Sequence, residues 1–128
     1  MVHDEHHEHL IKEVAEIYEP ILSSSTQAIY IYLDDQHKIC NQKLADLLGY
    51  SSISEWVENE TPISDIVPSD QETVIEAYGK AVESLESSFI SATAATKSGS
   101  EIDLDIIMVP FTYKNEVFAV HFITPQNS

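Results

Sequence analysis

The sequence predicts an α+β chain: an amphipathic helix, two strands, a run of short helices with one longer helix, and three strands joined by hairpins. Three observations carry that prediction. Apolar residues recur at helical spacing over residues 5–22, the middle of the chain is punctuated by helix caps, and after Glu86 the period changes to two.

Within residues 5–22, Leu10, Val14, Ile17 and Ile21 follow at spacings of 4, 3 and 4, with Ile11, Tyr18 and Leu22 alongside. That is a heptad-like stripe on an otherwise charged segment. Pro20 is expected to kink or stop the helix near Glu19, because proline lacks the N–H and crowds the preceding turn. Three serines, Ser23 to Ser25, make a polar break before a strand at 28–33. A turn at Asp34, Asp35, Gln36 and His37 leads into a short strand at 38–40.

The stretch NQKLADLLGYSS, residues 41–52, is the most informative local signal. Asn41 can accept one of the orphan N–H groups of a helix start, Leu44, Leu47 and Leu48 form one apolar stripe, and Gly49 can take the left-handed conformation that ends the helix. Ser52 with Glu55 reads as a capping box for a second short helix, and Thr61-Pro62 opens a third turn running to Ile66. A longer helix is expected from Ser69, with a capping box to Glu72 and Val74, Tyr78, Ala81 and Leu85 on one face.

Strands follow at 88–97, 101–113 and 116–124, with hairpins at Ser98-Gly99 and Lys114-Asn115. In the middle strand Ile102, Leu104, Ile106 and Met108 make an apolar face. The opposite face starts polar at Asp103 and Asp105 and turns apolar at Ile107, Val109 and Phe111. Such a half-apolar second face needs a cover, either the N-terminal helix or the same surface of a second subunit.

Composition bounds the function. A chain of 128 residues buries roughly two-thirds of its unfolded surface as one domain. Its 43% apolar content and mean hydropathy of -0.13 are those of a globular protein. It has no apolar run of about 18 residues, so no membrane span is expected. The polar, acidic start MVHDEHHEH is unlike a secretory signal. One cysteine, Cys40, excludes an internal disulfide, which makes the cytoplasm the expected compartment.

Charge is lopsided, with 22 Asp and Glu against 6 lysines, no arginine and a formal net charge of -16. A surface of that sign repels phosphate backbones, which argues against a nucleic-acid partner. The lack of arginine removes the bidentate clamp for phosphate or carboxylate ligands.

Catalysis finds no support. With 3 glycines the chain has no phosphate-cradling loop, and no nucleophile elbow or metalloprotease motif occurs. Asp103 and Asp105 alternate on one strand face but read as a solvated edge.

Four ordered marks resemble the PAS domain family, the small sensory modules of signalling proteins. They are Asn41 with LLGYS; Ile66-Val67-Pro68-Ser69-Asp70, with Val67 where the family has histidine; Lys97-Ser98-Gly99-Ser100; and Pro110. The resemblance covers residues 28–124 and implies a five-stranded antiparallel sheet in the order 2-1-5-4-3, helices over one face and a cavity between them. It divides the chain into an N-terminal helix (1–25), the PAS-like domain (26–125) and a tail (126–128). Two departures stand out: the first hairpin is shorter than usual and has no turn glycine, and Phe122 stands where the family's closing D-I-T has the aspartate that often couples the domain to a following coiled coil. With four residues after Thr124, no effector to couple to is expected.

In this family the cavity holds flavin, haem, chromophores or metabolites. The cysteine-containing motif of the flavin photosensors is absent, and Cys40, at a strand end, reads as a small buried apolar residue. No histidine occurs between Ser69 and Ser87, where haem-binding members place their axial ligand. His121, in the last strand, shares a face with Ala119 and Ile123 and reads as a satisfied or half-exposed sheet histidine rather than a ligand. The cofactor is therefore undetermined. The candidate lining of an apolar cavity is Leu44, Leu48, Ile66, Val74, Tyr78, Ile106 and Met108. The candidate dimer surface is Leu10, Val14, Ile17, Ile21, Ile107, Val109 and Phe111.

His3, His6, His7 and His9 form a further cluster among Asp4, Glu5 and Glu8. On a helix His3 and His7 fall at i, i+4, a spacing that can chelate a divalent metal. A terminal segment without supporting groups favours a solvated helix start over a metal site.

Two readings remain. One is a non-enzymatic sensor that binds a small apolar ligand and dimerises through its leading helix and outer sheet face. The other is a pure dimerisation or scaffold module with a filled core, docking onto itself or another signalling protein.

Overall fold

The computed structural model describes residues 2–126, with side chains from residue 6 onward. The side chain of His3, and the expected tail beyond Gln126, lie outside the described residues. The order is α1 (Val2–Ser24), β1 (Ala28–Asp34), β2 (His37–Cys40), α2 (Gln42–Leu48), α3 (Ile53–Val57), a 3-10 turn (Pro62–Asp65), α4 (Pro68–Ser84), β3 (Ser88–Ala95), β4 (Glu101–Tyr113) and β5 (Glu116–Pro125).

The five strands form one antiparallel sheet in the order β2-β1-β5-β4-β3, as the resemblance implied. The Lys114-Asn115 turn joins β4 to β5 with both residues at positive φ, 49° and 71°. Two successive positive φ values match the strand twist of a two-residue hairpin. This turn sets the pairing of Ile106 with Ile123 and of Met108 with His121.

Each face of the sheet has its own core. On the inner face Leu44, Ala45 and Leu48 of α2, Trp56 of α3 and Val74, Ala77 and Ala81 of α4 pack on Ala92, Ala94, Leu104, Ile106, Met108, Ala119 and Ile123. On the outer face Leu10, Ile11 and Val14 of α1 pack on Ile29, Ile31, Leu33, Phe118 and Val120. The N-terminal helix thus supplies the expected cover over β2, β1, β5 and the Phe111–Tyr113 end of β4, but not over β3 and the β4 residues beside it. Phe89 and Ile107, neighbours on β3 and β4, stay 68% and 42% exposed.

Asn41 does more than cap α2. Its Oδ1 accepts from the Leu44 N–H at 3.1 Å and from the Ile29 N–H at 3.1 Å, while its Nδ2 donates to the Gln27 carbonyl at 2.9 Å. One buried amide therefore fixes the helix start against β1 and satisfies backbone groups that burial would otherwise penalise. Gly49 ends α2 at φ 84°, and the Lys97 N–H donates to the Leu48 carbonyl at 2.8 Å, docking the β3–β4 hairpin there.

Two helix ends depart from the signals expected to set them, while the strand ends shift by one or two residues. α1 runs through Pro20 to Ser24 without stopping near Glu19. Close to its C-terminus the loss of one N–H is tolerated, and the Ser23 hydroxyl donates to the Glu19 carbonyl at 2.9 Å. α4 begins at Pro68, so the Ser69–Glu72 box does not form and no side chain caps the helix. Proline's fixed φ suits the first helical position, and Asp70 instead accepts from the Thr93 N–H at 2.8 Å, tying the helix start to β3.

Candidate functional site

Between the sheet and the α3, 3-10 and α4 segments lies a cavity of about 220 Å³. Inward-facing positions of the sheet give it Tyr30, Tyr32, Ala94, Leu104, Ile106, His121 and Ile123. The helical side gives it Leu48, Trp56, Ile63, Ile66, Val74 and Tyr78. The wall is mainly apolar and aromatic, and none of the described lining residues is a lysine.

An aromatic row crosses the cavity. Tyr30 on β1 pairs with His121 on β5 across the ladder, and their rings stack with centroids 3.8 Å apart and planes 13° apart. Trp56 tilts against Tyr30 at 5.0 Å. Tyr32 meets Tyr78 edge-on at 5.3 Å. Such pairs hold large rings in fixed positions and leave their remaining faces to whatever occupies the space.

His121 is 2% exposed. Burial pushes its pKa down to about 3, against weaker opposing help from backbone carbonyls, so the ring is neutral near pH 7. Its Nδ1 lies 3.1 Å from the Ala119 carbonyl oxygen. Only a protonated Nδ1 can donate there, which leaves Nε2 as a hydrogen-bond acceptor. Burial also raises the Tyr30, Tyr32 and Tyr78 hydroxyls above their ordinary range, with nearby carboxylates reinforcing the effect. Asp65 takes hydrogen bonds from the Tyr50 hydroxyl at 2.7 Å and from Asn59 Nδ2 at 3.2 Å, yet burial still raises its pKa.

A buried lysine braces this wall. Lys38, 2% exposed, directs Nζ to the carbonyls of Asp35, Val57 and Asn59 at 2.5, 2.8 and 2.7 Å and lies 5.5 Å from the Trp56 ring centroid. Burial lowers its pKa, countered by the acidic groups nearby. The three carbonyls consume its three donors, which joins the β1–β2 turn to the end of α3.

Of the residues expected to line a cavity, Leu48, Ile66, Val74, Tyr78 and Ile106 reach its wall; Leu44 and Met108 are buried in the same core away from it. Tyr30, Trp56 and His121 complete the wall. Strand alternation places His121 on the inner face with Ala119 and Ile123, but the choice of inner face comes only from packing. Cys40 is buried, and burial raises its thiol to about 12, as suits a core residue. In the dimer set, Leu10 and Val14 are buried within their own chain, Val109 and Phe111 are half-buried, and Ile17, Ile21 and Ile107 are 50%, 46% and 42% exposed.

The N-terminal histidines separate. His6 and His9 are exposed, whereas His7 turns onto the sheet. Its Nδ1 lies 2.8 Å from Asp34 Oδ2 and its Nε2 3.6 Å from Glu116 Oε2. His37 Nδ1 sits 2.7 Å from Asp34 Oδ1. Burial works to lower the His7 pKa, but the two carboxylates outweigh it and the net shift is upward. Burial likewise works against ionisation of Asp34, and the hydrogen bonds from both imidazoles reverse that, leaving its pKa lowered.

Among the described residues, no helix is long and apolar enough to cross a membrane. No family model and no curated protein matches the chain. Solved structures do. A PAS domain from Colwellia psychrerythraea is similar over 88% of this chain and 96% of its own, with a TM-score of 0.69 and 20% identity. The PAS domain of an HTR-like protein from Haloarcula marismortui covers 94% of this chain and 98% of its own at TM-score 0.66 and 18% identity. A PAS domain from a two-component sensor histidine kinase gives 0.67 and 10% identity over 90% of this chain and 98% of its own.

Proposed function

We propose that this chain, which has the PAS fold, is a non-catalytic sensor domain that takes a small, flat, largely apolar molecule into its inner cavity. The observation that carries this reading is the aromatic wall of Trp56, Tyr30 and His121 around about 220 Å³ of space. That volume falls below the roughly 300–1,000 Å³ of pockets for drug-sized ligands, and suits a single ring system. The polar lining, a neutral His121 with the side chains of Asp35 and Asp65, favours a molecule bearing a hydrogen-bond donor and no negative charge. Several similar structures come from signalling proteins by name, a sensor histidine kinase and a diguanylate cyclase among them.

Trp56 is the only tryptophan, so its fluorescence reports on the cavity directly. Native mass spectrometry of gently purified protein is expected to retain an added mass, or a panel of single-ring phenols and aromatic amines to contain members that quench Trp56 and raise Tm. A bare mass together with silence across the panel would overturn the ligand reading in favour of a scaffold with a self-sufficient core.

A second reading, self-association, is favoured by four large apolar side chains left exposed on the α1 side of the sheet: Ile17, Ile21, Phe89 and Ile107. It is compatible with the first. Light scattering on the protein eluting from a sizing column is expected to give a dimer mass, reduced by Ile17→Lys with Ile107→Lys; a monomer at every concentration would sink it.

A further inference from the structure

We propose that His7, Asp34 and His37 form a zinc site that clamps the leading helix onto the sheet, with Glu116 as the outer group that orients His7. Within the N-terminal histidine run the sequence offers a chelate only as the lesser alternative to a solvated helix start. Folding instead takes one histidine from that run and joins it to two residues from the β1–β2 turn. His7 comes from α1, Asp34 from the end of β1 and His37 from the start of β2, and one ligand atom from each lies within 4.8 Å of the others.

Zinc binds imidazole nitrogen at about 2.0–2.1 Å and carboxylate oxygen at about 2.0–2.2 Å, and in tetrahedral geometry its ligand atoms stand about 3.3 Å apart. Asp34 already lies between the two rings, with its Oδ2 facing His7 and its Oδ1 facing His37 at hydrogen-bond distance. Small side-chain rotations open those contacts to admit an ion. The two rings meet edge to face with centroids 5.7 Å apart, so both Nδ1 atoms approach the same carboxylate from different directions.

The proton count also balances. A neutral imidazole that ligates through Nδ1 carries its one proton on Nε2, and that N–H needs an acceptor. For His7 the acceptor stands close by: Glu116 Oε2 is 3.6 Å from Nε2, just beyond hydrogen-bond distance, and a small rotation brings the two together. The side chains of His7, Asp34 and His37 are 22%, 39% and 12% exposed. That leaves the site a path from solvent and a fourth position for water. The nitrogen and oxygen donor set, with no sulfur, suits zinc and its first-row neighbours over calcium or magnesium.

The test is titration of zinc into the whole, tag-free chain, read by calorimetry and by ¹⁵N shifts of the imidazoles. One equivalent is expected to bind, with the Nδ1 signals of His7 and His37 moving to metal-bound positions. His37→Asn and His7→Asn are each expected to weaken binding at least 100-fold, Glu116→Gln about 10-fold to 100-fold, and the double change of His6 and His9 to Asn less than 3-fold. The wild-type imidazole shifts do not depend on any variant folding. Zinc carried by His6 or His9, binding equal in wild type and His37→Asn, or no uptake at micromolar zinc would each overturn the site.

Discussion

Tyr30 lies flat against His121, with ring centroids 3.8 Å apart across the β1–β5 ladder. That stack seals one side of the cavity and keeps an ionisable ring dry. The folded His121 stays neutral down to about pH 3, whereas in the unfolded chain it titrates near 6.5. The unfolded state therefore binds more protons throughout that window, and stability falls as pH drops from 6.5 toward 3. The slope approaches about 1.4 kcal/mol per pH unit. His121→Phe keeps a flat ring and removes the titration. Urea melts at pH 7 and pH 5 are expected to show the variant losing about 1–2 kcal/mol less than wild type over that interval.

Val74 faces the cavity from α4. Val74→Phe places a ring in the space proposed for the ligand. Because the volume already exists, the strain should stay near the low end of the roughly 1–3 kcal/mol seen on overpacking a full core. The expected outcome is a folded protein with Tm within a few degrees of wild type and at least 10-fold weaker ligand quenching of Trp56. Unchanged quenching would place the ligand elsewhere.

Lys38→Met keeps an unbranched side chain, one atom shorter, and deletes its charge. The carbonyls of Asp35, Val57 and Asn59 then lose their common donor. Leaving part-buried acceptors without their charged donor costs on the order of 1–3 kcal/mol. Chemical denaturation is expected to show a loss of about 3 kcal/mol. A neutral result would mean that water replaces the ammonium at the end of α3.

Gly49→Ala tests the close of α2. The residue sits at φ 84°, and a Cβ there would lie 3.3 Å from the Lys97 N. A left-handed non-glycine residue at a crowded position is expected to cost about 1–3 kcal/mol. Amide exchange should quicken at Lys97, whose N–H donates to Leu48 beside it.

The opposite change is available at the end of α4. Leu85 is exposed and adopts φ 55°, a conformation that glycine takes freely. Leu85→Gly is expected to raise stability by up to about 1 kcal/mol in the same melts. A loss would show that the leucine side chain contributes contacts outweighing the backbone gain.

Much of the fold could be read locally. The cap that Asn41 gives Leu44, and Gly49, Lys114 and Asn115, act through their own backbone neighbourhoods, and the alternation of Ile102, Leu104 and Ile106 needs only strand geometry. The bonds of Asn41 to Gln27 and Ile29 were not legible. Pro20 misled because its cost depends on how much helix follows, and only one further turn does. The sites were less legible because they depend on distance in sequence. His7 and Asp34 are 27 positions apart, and nothing local to His7 announces a partner. Nothing in the short strand at 38–40 marks Lys38 as buried; only packing surrounds its ammonium with carbonyls. Strand alternation groups His121 with Ala119 and Ile123, but its neutrality follows from burial, which the strand pattern leaves open.

The two-residue turn at Lys114-Asn115 has a consequence for both faces of β5. Phe118, Val120 and Phe122 alternate there with Ala119, His121 and Ile123, the first set facing α1 and the second the inner core. A strand shifted by one residue exchanges every side chain between faces. A single insertion in that turn would thus present Phe122 to the cavity and His121 to the leading helix. The turn works as the alignment mark of the whole chain: one miscount of a residue would turn the domain inside out along its central seam.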